Sequence, residues 1–421
     1  MSKFNSKAKP QMQKNFMNED AYVLSDKEVL ASMAMTTFLT DSYYVPEADF
    51  TRNVINLAEK CGYEFTAKLA LYARTKGNLR SISHLLAALV CRDPSHPTWL
   101  KSFYEHIAVR PDDIAEILSC YAQLNHISLA HGHFPKIPNS MKKGFSAVLS
   151  SLSPYQIDKY KMSSKSLSLI DIVNLLHPTP SDRNREAYRR LMHGESLDGT
   201  YDGKILEKEM AETGKNVDDE HSVVLAKHDA IKSVLESGMP MMNLLRNLRN
   251  IMLYAPDMVD EAVKQLADRD KVINSRLLPF RFMSAYDAIN RVSLSDYNDK
   301  NDVTTAIKFE SDIAHSMDDD GLSSLKKTVL KALEDAMAIA CKNVPELNGN
   351  CAVLIDHSGS VRGDSYGSSA VSPWSSVRTA HIGNLFGSII AFKQKDVYIG
   401  MFGDRLISPT IDRSMRLLEF N

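Results

Sequence analysis

Two constellations in this 421-residue chain have residue types and spacing suited to chemistry. The first is cationic. Between Lys136 and Arg190, ten lysines and arginines (Lys136, Lys142, Lys143, Lys159, Lys161, Lys165, Arg183, Arg185, Arg189, Arg190) stand against four acids (Asp158, Asp171, Asp182, Glu186), in a chain of formal net charge −2. Such a surplus concentrates a polyanion and fastens to phosphates with salt-sensitive affinity. Tyr155, Tyr160 and Tyr188 are interleaved with the cations, and exposed rings at such positions stack on unpaired bases. The plainer readings are a solvated helix face for the charges and a core role for the tyrosines. A smaller basic pair, Arg246 and Arg249, lies three residues apart and opposite the stripe Leu244, Leu248, Ile251, so both project from one outer helix face. Asn243, Asn247 and Asn250 give that face a hydrogen-bonding character suited to RNA.

The second constellation is Asp356-His357-Ser358-Gly359-Ser360, directly after the β-prone run Cys351 to Ile355. A carboxylate and two hydroxyls alternating on a tight loop supply hard oxygen ligands for Mg²⁺ or Mn²⁺. The loop also stands at the carboxyl end of a strand, where open parallel sheets take ligands. Asp and Ser are common turn residues, so the spacing alone is a weak signal. His357 occupies the alternate position, which points away from the metal, and a surface role is expected for it.

The elements that must position these groups follow from periodicity. From about Lys27 to Pro345 apolar residues recur every three or four positions, as in Val54, Leu57, Ala58, Cys61; Ile82, Leu85, Leu86, Leu89; and Leu244, Leu248, Ile251, Met252. That spacing predicts amphipathic helices stacked as an irregular solenoid. Ser168 reads as an N-cap with Asp171 at the capping-box position, Leu169, Ile172, Val173 and Leu176 as the buried stripe, and Pro178 as the stop. His177 is then expected in the last turn, where the helix dipole favours an imidazolium able to meet a phosphate or base edge. After Asn350 the pattern becomes a strand run, the helical stripe Ile382, Leu385, Phe386, Ile389, and a second buried-strand run Val397 to Phe402. Strand, helix, strand implies a right-handed crossover in a parallel sheet. The expected organisation is a mobile tail over 1–26, a helical domain over 27–345 and an α/β domain over 346–421.

Composition narrows the function classes. Fifty Lys+Arg against 52 Asp+Glu exclude a uniformly polybasic protein. Five scattered cysteines (Cys61, Cys91, Cys120, Cys341, Cys351) without a C-x-x-C pair argue against a disulfide framework or zinc site and favour the cytoplasm. The polar start lacks a signal-peptide core, and the longest strongly apolar stretch, Leu85 to Cys91, is too short to span a membrane. No nucleophile with base and orienter, P-loop or nucleotide fingerprint is present, so an enzyme is not expected. Metal-assisted phosphodiester hydrolysis would need a second metal or base that the Asp356 loop does not offer.

Two families are similar to parts of this pattern. The Asp356 loop resembles the metal-ion-dependent adhesion site of von Willebrand A domains, which implies Asp356, Ser358 and Ser360 as ligands. The Thr and further Asp that complete such a site lie on later loops than this chain reaches at Asn421, so binding is expected to be weak or completed by residues encoded elsewhere. The segments Asn78–Leu89, Tyr121–Asn125, Lys142-Lys-Gly144, Tyr155–Lys161, Ile170–Pro178, Met239–Arg249 and Leu278–Tyr286, in that order, resemble the TROVE module of the Ro ribonucleoprotein and its bacterial and phage relatives. That resemblance implies a mainly α fold, a ring of HEAT-like helical repeats closed by a partial, Rossmann-like von Willebrand A domain. It implies Y RNA on the basic outer surface, single-stranded ends of misfolded noncoding RNA in the central hole, and an exoribonuclease as a partner for quality control or decay. Carried across, Lys159 and His177 contact Y RNA. The family's intermediate Arg has no counterpart in Met162-Ser163-Ser164, and Lys165 is the nearest cation, without the Arg fork. The RNA contacts expected are therefore Lys142, Lys143, Lys159, Lys161, Lys165, His177, Arg246 and Arg249, in a monomeric scaffold with no membrane association. The competing reading is a metal-dependent protein-interaction module that captures a partner carboxylate through the Asp356 loop, with the helical domain as platform.

Overall fold

The computed structural model describes residues 12–15, 18–36, 47–128, 137–163, 166–201, 205, 206, 208, 209, 220–293, 319–344, 346, 347, 349–363, 378–394 and 396–410. The chain divides into two compact units, residues 1–202 and 203–421. The fold is mainly helical with two small sheets, as the periodicity predicts.

The first unit opens with β1 (Met12–Lys14) and β2 (Asp20–Tyr22), an antiparallel pair within the segment expected to be a mobile tail. Ten helices follow: α1 (Asp26–Thr36), α2 (Glu47–Cys61), α3 (Tyr63–Thr75), α4 (Ser81–Val90), α5 (Leu100–Ile107), α6 (Pro111–Leu124), α7 (Asn139–Ser151), α8 (Pro154–Lys159), α9 (Leu169–Leu176) and α10 (Arg185–His193). Each is too short to be stable in water alone, so burial of its stripe must hold it. Val54, Ala58, Leu86, Leu89, Ile114, Phe145 and Ile172 share one continuous core. α3 packs on α4, α4 on α6 and α5 on α7, the pairwise stacking of a helical-repeat protein. Gly144 makes the last contact close: a Cβ there would lie 2.6 Å from the Tyr104 Cβ and 2.7 Å from the Lys101 carbonyl.

In the second unit, α11 (Glu220–Glu236), α12 (Met241–Tyr254), α13 (Val259–Ala267), α14 (Arg269–Asn274), α15 (Pro279–Asn290) and α16 (Asp319–Ala340) surround Leu244, Leu248, Ile251, Phe282, Leu333 and Met337. The α/β portion comprises β3 (Cys351–Asp356), α17 (Gly359–Arg362), α18 (Thr379–Lys393), β4 (Val397–Phe402) and β5 (Leu406–Ile407). β3 and β4 pair in parallel, from Cys351 opposite Val397 to Asp356 opposite Phe402, as expected for strand, helix, strand. α18 has two working faces. Leu385 and Ile389 join the helical core, while Gly383 and Gly387 let the helix settle onto Ile355 of β3.

After β4 the chain turns back through Gly403-Asp404-Arg405 into β5, antiparallel, so the order is β3-β4-β5. One expectation for this portion needs correction: the strand runs are not buried on both faces. Leu354 is 61% exposed, and Tyr398, Phe402, Leu406 and Ile407 are also exposed. Helix packing covers one face of this sheet, and no described residue covers the other, so apolar runs that read as two-sided burial alternate in fact.

Candidate nucleic-acid interface

The Lys159 loop is built by caps. Ser153 caps α8, accepting from the Gln156 N–H at 3.2 Å while the Gln156 side chain accepts from the Ser153 N–H at 2.9 Å. Ser168 and Asp171 form the same reciprocal box at the start of α9, as the sequence indicates. Between them Met162 turns the chain in the left-handed region (φ 54°), and the Leu169 N–H donates to the Lys161 carbonyl at 2.9 Å. The loop is thereby tied to the first residue of α9. At the other end α9 stops at Leu176, one residue earlier than expected. His177 is the C-cap, exposed, in the left-handed region (φ 49°, ψ 59°) immediately before Pro178. A non-glycine residue there carries strain of about 1–3 kcal/mol, and such strain concentrates at sites of function.

The structure sorts the cations sharply. Lys161 pairs with the buried Asp158 at 2.6 Å, Arg185 with Asp182 at 2.9 Å, Arg190 with Glu186 at 2.8 Å, and Arg189 lies between Glu186 (2.9 Å) and Glu195 (2.8 Å). Lys142, Lys143, Lys159 and Arg183 have no ion-pair partner among the described residues; Lys136 and Lys165 lie outside those residues. Lys143 and Lys159 are exposed and Lys142 is half-buried on α7. The Lys159 ammonium sits 5.4 Å over the Tyr155 ring. The expected surplus of six therefore contracts to a few open cations, because acids in the same helices and the following loop reach back to the arginines.

The tyrosines are committed elsewhere. Tyr188 is buried and its hydroxyl donates to the Leu149 carbonyl at 2.7 Å; burial holds its phenol well above the usual range. Tyr155 meets Tyr201 edge-on at 5.5 Å, and the Tyr201 hydroxyl donates to Asp158. The Tyr160 ring lies 5.7 Å from the Arg110 guanidinium. Base stacking on Tyr188 is ruled out by its burial.

A cluster absent from the sequence reading joins α3, α4 and α6. Asp113, fully buried, accepts from Arg74 Nε (3.2 Å) and Nη2 (2.7 Å) and from the Arg110 backbone N–H (2.9 Å), and its other oxygen bonds His84 Nε2 at 2.9 Å. Burial pushes the Asp113 carboxyl up, but the hydrogen bonds and charges of His84 and Arg74 outweigh it and hold the group far below the usual carboxylate range. Next to it, Asp112 accepts from Arg80 Nη2 (2.8 Å) and Arg110 Nε (2.9 Å). The available signal was a charged residue in an apolar stripe: Arg74 beside Ala70 and Ala73, His84 beside Leu85 and Leu86.

In the second unit Arg246 and Arg249 are both exposed on α12. The asparagines beside them do not form an open face: Asn247 Nδ2 donates to the Asn243 carbonyl at 2.9 Å and Asn250 Nδ2 to Asn247 Oδ1 at 3.3 Å, all three half-buried. At the end of β3, Asp356 Oδ1 accepts from the Ser358 N–H at 2.8 Å, and the Ser358 and Ser360 hydroxyls are 3.2 Å apart. The Ser358 bond lowers the Asp356 carboxyl. Among the described residues, no three His, Cys, Asp or Glu gather around a common point. His357 is not a free surface group; it is half-buried and bonds Asn384 of α18 through Nε2.

Stacked short helices carrying an exposed cationic loop, followed by a small mixed sheet, define a helical-repeat fold. Residues 164–349 match the TROVE domain, and the chain carries that domain over this stretch. Among solved structures, the Deinococcus radiodurans Ro (RSR) protein is similar, with a TM-score of 0.60 at 13% sequence identity, over 94% of this chain and 79% of that one. The fold is of the Ro type. No curated protein sequence matches at a significant level. No helix among the described residues is long and apolar enough to cross a membrane.

Proposed function

We propose that this protein is a noncoding-RNA-binding scaffold of the Ro type, holding a structured, Y-like RNA on the basic surface of its first unit and presenting the single-stranded ends of misfolded RNAs to an exoribonuclease. The observation that carries the reading is the pair Lys159 and His177 at the C-terminal ends of α8 and α9. Arg185, Arg189 and Arg190 are neutralised by carboxylates, yet Lys159 has no ion-pair partner among the described residues and His177 is exposed in a strained conformation at the end of α9. Lys142 and Lys143 extend the positive surface on α7. Arg246 and Arg249 are proposed as contacts in the second unit.

The test is binding of a fluorescein-labelled RNA hairpin with a single-stranded 3′ tail to the full chain across a salt series. Log affinity should fall linearly with log salt, and Lys159→Ala should lower that slope by about one. His177→Ser should weaken binding without unfolding. Wild-type affinity in both variants would remove the site from this surface.

A second reading attaches to the Asp356 loop. Oxygens in adjacent octahedral positions around Mg²⁺, at bonds of about 2.1 Å, lie about 3 Å apart, which fits the spacing of the Ser358 and Ser360 hydroxyls. Asp356, Ser358 and Ser360 would hold a divalent cation, and the cation would supply a Lewis-acidic position for a partner's carboxylate. The carboxylate keeps one oxygen for that purpose, since the other accepts from the Ser358 N–H.

A further inference from the structure

We infer that Arg80 and Arg110, held as a pair by Asp112, form a seat for a backbone phosphate of the bound RNA. The inference rests on the RNA-binding reading above and names a contact apart from Lys159 and His177.

The argument begins with charge. Three guanidiniums, Arg74, Arg80 and Arg110, face two carboxylates, Asp112 and Asp113. Asp113 is bonded by Arg74, His84 and the Arg110 backbone N–H and stands 3.6 Å from Arg80 Nε, so the side-chain hydrogen bonds of both Arg80 and Arg110 within the cluster fall to Asp112. Its first oxygen accepts from Arg110 Nε, its second from the Nη2 of each arginine. One positive charge is left over, and it lies at the surface: the Arg80 and Arg110 side chains are each 39% exposed, against 17% for Asp112 and 0% for Asp113.

The cluster is also short of acceptors. Arg80 Nε is buried without a hydrogen-bond partner, 3.6 Å from an Asp113 oxygen. The Nη1 groups of both arginines make no hydrogen bond with any described residue. A purely structural staple between α4 and α6 would need one arginine for Asp112. Two fixed, half-exposed guanidiniums with spare donors match a group rich in oxygens and negative charge, and the rigid fork of arginine suits phosphate.

Position selects RNA over a free anion. Arg110 stands 5.7 Å over the Tyr160 ring, and Tyr160 lies between Lys159 and Lys161. The arginine pair therefore adjoins the Lys159 loop within the same unit, and a strand crossing Lys159 passes beside it.

The experiment uses the full chain and the same labelled hairpin across the salt series. Arg80→Gln and Arg110→Gln should each lower the salt slope by roughly 0.7–0.9. Asp112→Asn removes the neutralising carboxylate and should tighten binding roughly two- to tenfold at low salt, the opposite of what damage to a structural staple would do. Arg110→Lys keeps the charge and should keep the slope; it and Asp112→Asn decide the matter if a Gln variant fails to fold. A wild-type slope in the folded Gln variants, or unchanged or weaker binding by folded Asp112→Asn, overturns the inference. If Lys159→Ala still weakens binding in that case, the RNA-binding reading stands without the phosphate seat; if the wild-type chain binds no RNA, both fall.

Discussion

Replacing Asp113 by Ala should be among the most damaging single changes in the first unit. The carboxylate is fully buried and takes bonds from Arg74, His84 and the Arg110 backbone. Its removal leaves Arg74, whose side chain is 7% exposed, as an uncompensated buried cation, and orphans the His84 ring. Breaking such a pair from one side costs about 3–5 kcal/mol. For a unit of this size 1 kcal/mol moves Tm by about 2–4 °C, so the variant should melt roughly 6–20 °C lower. Circular dichroism melts and urea titration of the full chain measure it. The double variant Arg74→Met with Asp113→Ala should recover part of the loss, because it removes the stranded charge along with its partner. The pH dependence has a definite sign. Since the folded Asp113 carboxyl lies below its unfolded value, its contribution is present above the unfolded value of about 3.9 and is lost as pH falls through the folded one. The gap between wild type and variant should hold from pH 7 to 5 and close only in stronger acid. A loss under about 1 kcal/mol, or strict additivity in the double variant, would refute the account of Asp113 as the centre of a coupled cluster.

His228 and Asp257 of the second unit make the opposite case. The Asp257 hydrogen bond, at 3.0 Å from His228 Nε2, raises the imidazole against the pull of burial, and the His228 bond lowers Asp257. The contribution of His228 is complete below its unfolded value of about 6.5 and is lost as pH rises through the folded one. The melting difference between wild type and His228→Gln should therefore shrink from pH 6 to pH 9, and a constant difference would contradict it. For the Asp356 loop, Mg²⁺ should raise the melting temperature of the wild-type chain and leave Asp356→Ala unmoved; equal shifts would assign the ion to another site.

Much of the architecture was legible along the chain because it depends on local order. The three-four spacing of Val54 and Ala58 or Leu244 and Leu248 can bury only one helix face, and both stripes are buried. The Ser168–Asp171 box is a contact over three residues and forms as read. The β3–α18–β4 order implied parallel strands, because a helix between two strands returns the chain in the same direction. Local reasoning failed where a neighbour's position decides. Counting charge between Lys136 and Arg190 overstated the open surface, because Glu195, outside the counted stretch, folds back on Arg189. The exposed face of the small sheet and β5 depend on what packs against apolar runs, which hydropathy does not state.

Sequence alone determined that the chain is a set of short amphipathic helices followed by a strand–helix–strand piece, since burial of apolar stripes follows from spacing of 3.6 or 2 residues. It also placed His177 at the end of a capped helix, through a cap and a breaker that act within one turn, whereas Lys159 was singled out by the TROVE resemblance. Tertiary structure decided which charges remain open and which are spent. The Arg74–Asp113 and Arg80–Asp112 contacts span 39 and 32 residues, and at such separations the strength of an ion pair depends on burial and angle, which exist only once the helices have packed.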